Sequence, residues 1–321
     1  MVNSYIFSSN MKKFLVKVIL FLLLIIISAT LLDLFLSSRL LRNENRMFST
    51  WSQIYNDSTN YDLIINGSSR AWTQYNPIML DSMLNVNSYN LGMDGSGITR
   101  QIVKYKKYCE YHKTPKHLIQ NIDFITIDTT FGYEREQFFP YFIYDRSLMQ
   151  EMDVYEKFSF AEKFIPSYRY IGYRDVLTEA LFNYSSQARF EFLFKGYLGN
   201  NSTWNGTELA KLDSVVFSCN AMALHLFIDF LEQTTKQGTK VLFVYAPVYH
   251  GVRTKMTNEH QMYEMYDTIA ARFNIPILDY NDIPLCYDTT YFYNGTHLNR
   301  IGAESFTIQL AHDIDSIGFL K

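Results

Sequence analysis

One apolar run near the N-terminus constrains this chain more than any other feature. Within MKKFLVKVILFLLLIIISATLLDLFLSSRLLR, the stretch from Phe14 to Leu36 is almost wholly apolar. As a helix it reaches roughly 34 Å, enough to cross the hydrocarbon core of a bilayer. Lys12, Lys13 and Lys17 precede or open the run, and Arg39, Arg42 and Arg46 follow it. The positive-inside contrast is therefore weak, and the leading lysines favour an inside N-terminus. Ser28–Thr30 mimics a small-residue cleavage site, but the apolar run continues past it, against a cleaved signal peptide. Met11, directly before the lysine pair, is an alternative start. The expected organisation is a cytoplasmic segment 1–13, a transmembrane anchor 14–36, a polar stalk 37–60 and a large extracytoplasmic domain 61–321. The localisation that follows is a single-pass membrane protein.

The rest of the composition mainly excludes. With 321 residues and a net charge of −3, the chain has room for one large domain plus extras and has no basic stripe for nucleic acid. Three cysteines, Cys109, Cys219 and Cys286, form no disulfide framework, and their spacing chooses no pair. No Cys/His cluster has zinc spacing, so neither metal nor cofactor is expected. Aromatics make up 17%. They serve core packing or, on a surface, stacking against sugar rings. Asn-x-Ser/Thr sequons, as at Asn201 and Asn205, matter only in a host that glycosylates them.

From Tyr61 onward, short apolar runs alternate with helical patterns. Strands are expected at 61–67, 86–92, 116–124, 240–248 and 275–280. Helices are expected at 76–84, 97–112, 218–237, 258–273 and 299–314. This alternation specifies an α/β fold of three layers, with helices on both faces of a parallel sheet of about five strands. A segment at about 126–214 breaks the rhythm. Long excursions of this kind shape binding surfaces, and aromatics such as Tyr141, Tyr144 or Trp204 are expected to line a cleft.

In such sheets ligands sit at the carboxyl ends of the strands. Three groups converge there. NGSSR after the first strand offers Ser68 or Ser69 as a nucleophile. NLGMDGSG after the second offers backbone N–H groups with close access, because glycine carries no side chain. NGTHLNRIGA, before the last helix, offers His297 as a base. Singly, each is ordinary turn or cap chemistry. Their order and shared edge are what suggest acyl chemistry.

On these blocks the chain resembles the SGNH, or GDSL-like, hydrolase and acyltransferase superfamily. It most resembles the membrane-anchored branch, which includes the teichoic-acid D-alanine transfer protein and polysaccharide O-acetylation proteins. The resemblance covers Tyr61 to the end except the 126–214 insertion, and implies a flavodoxin-like SGNH domain. It makes Ser69 the nucleophile, His297 the base, and Gly95, less well Gly92, an oxyanion donor. Leu298, Asn299, Gly302 and Ala303 match the rest of the last block. It also implies a glycan or acyl-ester substrate and a multi-pass membrane acyltransferase as a possible partner.

Two departures stand out. The third block, Gly-x-Asn-Asp, is replaced by QNIDF, leaving Asn121 as the nearest amide donor and Asp123 to cap or line the site. The acid expected three residues before the histidine is Asn294. Asn can fix a histidine tautomer but cannot stabilise the imidazolium with full charge. Asp279, Asp282 or a backbone carbonyl are the alternative orienters. Two functions therefore stand: an acyltransferase or esterase acting on a cell-envelope or exported glycan, or a catalytically inactive domain of the same fold that binds a glycan or a partner.

Overall fold

The computed structural model describes residues 2–43, 48–127, 135–182 and 193–321. They belong to two compact units. One takes Met1–Asn43 and Arg135–Ser185, the other Glu44–Glu134 and Ser186–Lys321. Arg46 and the parts of the expected insertion at 128–134 and 183–192 lie outside the described residues.

The larger unit is built on five parallel strands: β1 (Leu63–Asn66), β2 (Ser88–Asn90), β3 (His117–Asn121), β4 (Lys240–Tyr245) and β5 (Ile277–Asp279). Their order across the sheet is β2-β1-β3-β4-β5. Ile64 pairs with Tyr89 on one side and Leu118 on the other, Ile119 with Leu242, and Val244 with Leu278. β1 reads LIIN and is buried throughout, as a strand covered on both faces must be. The chain leaves β1 towards β2 and returns across it to β3. The β1/β3 boundary is therefore the switch point where such sheets open a crevice.

On one face Leu63, Ile65, Ile119 and Leu242 share a buried cluster with Leu80 of the helix Pro77–Leu84 and with Phe306 and Leu310 of the helix Arg300–Ser316. On the other, Phe243 stacks on Phe227 at 5.7 Å and meets Tyr266 edge-on at 6.2 Å. These come from the helices Ala221–Lys236 and Glu259–Phe273. Each large side chain so buried contributes about 1.5–3 kcal/mol. The expected three-layer α/β/α architecture is present. Asn76 caps the helix that Pro77 opens, accepting from Ile78 N at 3.1 Å and Met79 N at 3.3 Å.

The smaller unit is helical. Its first helix, Val2–Leu40, outruns the Phe14–Leu36 stretch at both ends, and its Asn10–Leu40 part is long and apolar enough to cross a membrane. Asp33, Leu36, Ser37 and Leu40 are buried, a stripe with helical spacing. Arg169 donates to both Asp33 carboxylate oxygens at 2.7 Å, Ser167 N donates to Asp33 Oδ2 at 3.0 Å, and Tyr170 Oη lies 2.7 Å from Ser37 Oγ. Edge-on contacts of Phe139 with Phe142, Phe158, Tyr170 and Tyr173 fill the middle of this unit. Tyr141 is buried in it and Tyr144 is exposed. The excursion is thus divided, with Arg135–Ser185 grouped with the N-terminal helix and its remaining described residues grouped with the sheet.

Gly92 marks where the loop after β2 meets the helix Ser69–Gln74. A Cβ there would lie 2.3 Å from Trp72 N and 2.7 Å from Trp72 Cα, and backbone cannot yield as a side chain can. Gly92→Ala is expected to destabilise the sheet unit by about 1–3 kcal/mol. The check is a lowered urea midpoint with an unchanged slope.

Candidate active site

Ser69 opens the short helix Ser69–Gln74 directly after β1, with Ser68 at its N-cap in extended geometry. The two neighbouring hydroxyls part ways. Ser68 Oγ turns inward and donates to Asp123 Oδ2 at 2.8 Å. Ser69 Oγ lies 2.7 Å from His297 Nε2, across 228 residues of sequence.

His297 starts the second strand of a small hairpin, Phe292–Asn294 with His297–Leu298. Asn294 Oδ1 accepts from Thr296 N at 3.0 Å, an Asx-turn built by the Asn-Gly-Thr sequence. The same oxygen lies 2.9 Å from His297 Nδ1, and Thr296 Oγ1 is 3.0 Å from that nitrogen. Because Oδ1 already accepts the Thr296 N–H, the carbonyl side of the amide faces the ring. The proton is thereby assigned to Nδ1, leaving the Nε2 lone pair for the Ser69 hydroxyl. Tyr293 stacks on the imidazole at 5.4 Å and 17°.

The surrounding motif holds this loop. Asn299 caps the last helix, accepting from Gly302 N at 3.0 Å and donating to Thr290 O at 2.7 Å. A Cβ at Gly302 would lie 2.2 Å from Tyr291 O, so the close approach requires glycine. Gln74, at the end of the serine helix, donates to Thr296 O and Pro247 O, each at 3.2 Å. The serine and histidine segments are thus tied together one turn below their reactive atoms.

Asp123 is the buried hub beneath. It takes Ser68, Asn121 Nδ2 (3.0 Å), Ile125 N and Thr126 N (both 2.9 Å) and Thr126 Oγ1 (3.0 Å), and pairs with Arg70 at 3.2 Å. The Arg70 guanidinium also lies 5.4 Å from the Phe124 ring. Asn121, expected as an oxyanion donor, has its amide on Asp123 and its Oδ1 accepting from Tyr75 Oη at 2.8 Å. Neither partner is Ser69. Gly92 spends its N–H on Asn90 Oδ1 at 2.8 Å, so its place in the loop is one of close packing. Gly95 occupies the left-handed region, φ 55°, in a half-buried turn of the same loop. That loop is fastened by Lys104 Nζ on Leu91 O at 2.5 Å and Gln101 Nε2 on Ser96 O at 2.6 Å. Asp279 accepts from Asn281 N, and Asp282 bonds Tyr287 Oη, so neither orients His297.

His297 is held neutral. Desolvation first, then the Arg70 charge, lower its pKa from 6.5 to about 3, against an opposing pull from Asp123. Beside Asn294, Gly295 and Thr296 lies a cavity of about 270 Å³, walled by Phe124, Trp204, Val252 and Met256 with Asp213 and Lys255 at its charged side. Trp204 meets Tyr249 edge-on at 5.2 Å and donates its backbone N–H to Phe292 O at 2.8 Å. Arg70, Gln74 and Thr296 were not singled out as site elements by sequence; Asp123 was expected to cap or line the site, and its place as the hub for these donors was not. Only Thr296 had a local signal, the Asn-Gly turn. Among the described residues no cluster of His, Cys, Asp or Glu could hold a metal ion.

No family model matches the chain, and no curated protein matches it. Among solved structures it is similar to a candidate acylhydrolase of Bacteroides fragilis NCTC 9343, at 9% identity over 84% of this chain and 95% of that one, with a TM-score of 0.40. At this identity and score the match assigns neither family nor activity.

A histidine whose folded pKa is depressed binds fewer protons folded than unfolded. Its contribution to stability is full above pH 6.5 and is lost as pH falls towards 3. His297 is half-buried as a residue, so its midpoint is expected between these limits. In a histidine NMR titration, His297 should remain neutral at pH 6, and Asn294→Asp should move its midpoint upward. A wild-type midpoint at or above 6.5 would mean a solvated ring.

Proposed function

We propose that this protein is a membrane-anchored serine acyltransferase or acyl esterase whose large domain lies outside the cytoplasm. The observation that carries the reading is the Ser69 Oγ to His297 Nε2 contact of 2.7 Å, with the far ring nitrogen on Asn294. Ser69 is the nucleophile, His297 the base and Asn294 the orienter. As Ser69 Oγ attacks an ester carbonyl, its proton passes to Nε2. The resulting imidazolium returns that proton to the leaving alkoxide, and an acyl-serine remains. A second hydroxyl, from water or an acceptor sugar, repeats the sequence in reverse and takes the acyl group away. The first-turn N–H of Ser69 has no intrahelical partner, which fits it to the developing oxyanion, and Gly95 is the proposed second donor. The mostly apolar cavity beside the histidine loop fits the acyl or aglycone part of an ester. A cell-envelope or exported glycan is the proposed substrate, by resemblance and by the apolar N-terminal helix.

A second reading, a non-catalytic domain of the same fold that binds a glycan or partner, has two observations in its favour. The histidine's partner is neutral, and Asn121 is committed to Asp123 and Tyr75. A fluorophosphonate probe separates the two. It should label the wild type and not Ser69→Ala, while turnover of a simple acetyl ester by Ser69→Ala or His297→Ala falls by about 10³ or more. Asn294→Asp should raise turnover, by less than roughly 10⁴, the cost of the reverse change in a serine protease. A wild type inert to both probe and ester, with Asn294→Asp equally inert, would establish the second reading.

A further inference from the structure

The smaller unit carries an apolar surface that its own packing does not use. The segment Phe160–Ile171 presents Phe160 (72% exposed), Phe164 (57%), Ile165 (45%), Tyr168 (44%) and Ile171 (68%) to the surroundings. Five exposed apolar residues within twelve are far more than scattered surface hydrophobics, and such a patch marks an interaction site. Its place along the N-terminal helix is fixed by hydrogen bonds. Ser167 Oγ donates to Ala29 O at 2.7 Å and Ser167 N to Asp33 Oδ2 at 3.0 Å, while Arg169 holds both oxygens of Asp33. The helix beside it exposes Leu31, Leu32, Leu34 and Phe35 on its undocked side. The exposed apolar residues of the span and those of the segment therefore lie on two elements bonded side by side.

From this geometry we propose that Phe160–Ile171 is a membrane-interface element, immersed in the leaflet at the C-terminal end of the span. The inference rests on the membrane-anchor reading. Its depth follows from the pairing. With the Asp33–Arg169 pair at the boundary, Ala29, which accepts from Ser167, lies four residues or roughly 6 Å inside it along the helix axis. Helices that lie in the interface bury their apolar face by about 5–10 Å. The charges there are paired within the unit: the Arg169 guanidinium and Asp33 carboxylate are buried against each other, with Ser167 bonded to Asp33 and Tyr170 to Ser37. Lys163 pairs with Asp153 and Glu162 with Arg135, so the charges flanking the aromatic face are matched too. Tyr168 has the amphipathic ring favoured at headgroup level. The bilayer is the occupant favoured here over a second protein, because the same helix that would be surrounded by lipid supplies the adjoining surface.

The test uses the full chain in vesicles of phosphatidylcholine and phosphatidylglycerol carrying lipids brominated either near the headgroup end or near the terminal methyl of the acyl chain. Phe164→Trp and, independently, Ile171→Trp report the segment, and Ile27→Trp reports the span. The signal of Trp51, Trp72 and Trp204 is subtracted using the wild type. The added tryptophan at 164 or 171 should lose about half or more of its emission to the shallow bromines and less to the deep ones, as an immersion of 5–10 Å requires. Ile27→Trp should be quenched more by the deep bromines. If Ile27→Trp is quenched while both segment tryptophans are not, the inference is overturned and the anchor stands, whether water or another protein copy covers the patch. If Ile27→Trp is also unquenched, the anchor reading fails and the inference with it.

Discussion

The site depends on one buried carboxylate. Asp123 is 1% exposed, and an unpaired charge at that depth would be strongly destabilising. It is matched by Arg70 and by donors from Ser68, Asn121, Ile125 and Thr126. These come from the end of β1, the end of β3 and the turn that follows it, the three segments that meet at the switch point of the sheet. One consequence is the choice between two adjacent serines. Ser68 is spent on the hub, and helical geometry then turns Ser69 the other way, towards His297. Another is the committed amide of Asn121. An asparagine that helps neutralise a buried carboxylate is unavailable to polarise a substrate carbonyl.

The histidine is placed by different means. A two-residue hairpin turn, an Asx-turn from Asn294, an N-cap from Asn299 and a glycine at 302 together fix one loop at the head of the final helix. None of these needs a charge. Asn294 therefore does half of what a carboxylate would do. It sets the tautomer but brings no charge of its own to the imidazolium, which desolvation and Arg70 disfavour more than Asp123 favours it. The Ser69–His297–Asn294 relay is continuous in its hydrogen bonds and electrostatically weak. For the proposed serine chemistry, such a relay suits a slow transfer in which substrate binding supplies part of the missing stabilisation better than it suits a fast general esterase.

The sheet was legible because strands covered on both faces must be apolar runs, and the helices between them must be amphipathic. LIIN and KVLFVY announce themselves in that way, as does Asn76 before Pro77. The helix Ser69–Gln74 was not legible. It has six residues, four of them polar though all are buried, so it shows no apolar periodicity and reads as a turn. The serine, the histidine and Asn294 stood out through the resemblance of their blocks. The roles of Asn121 and Gly92 did not, because a side chain's hydrogen-bond partner depends on residues brought together only by the fold. Tyr75 and Asp123 decide where the Asn121 amide points, and the crossing at Trp72 decides what Gly92 is for.

The apolar run itself conceals a similar dependence. Counted by hydropathy it extends to Leu36, and the charge at Asp33 looks like a flaw three residues inside its end. Arg169, 136 residues away, removes the flaw by pairing with both carboxylate oxygens. A charge at the middle of a bilayer is costly, whereas a matched pair at its edge is tolerated. For a helix that spans a membrane, Phe14 to Asp33 is nineteen steps, roughly 29 Å, close to the thickness of the hydrocarbon core. Lys12 and Lys13 then fall just outside one boundary and the Asp33–Arg169 pair at the other. Leu36 and Leu40, though apolar, no longer need lipid. They are buried against the helical unit, which explains why the apolar pattern outlasts the distance it has to cover.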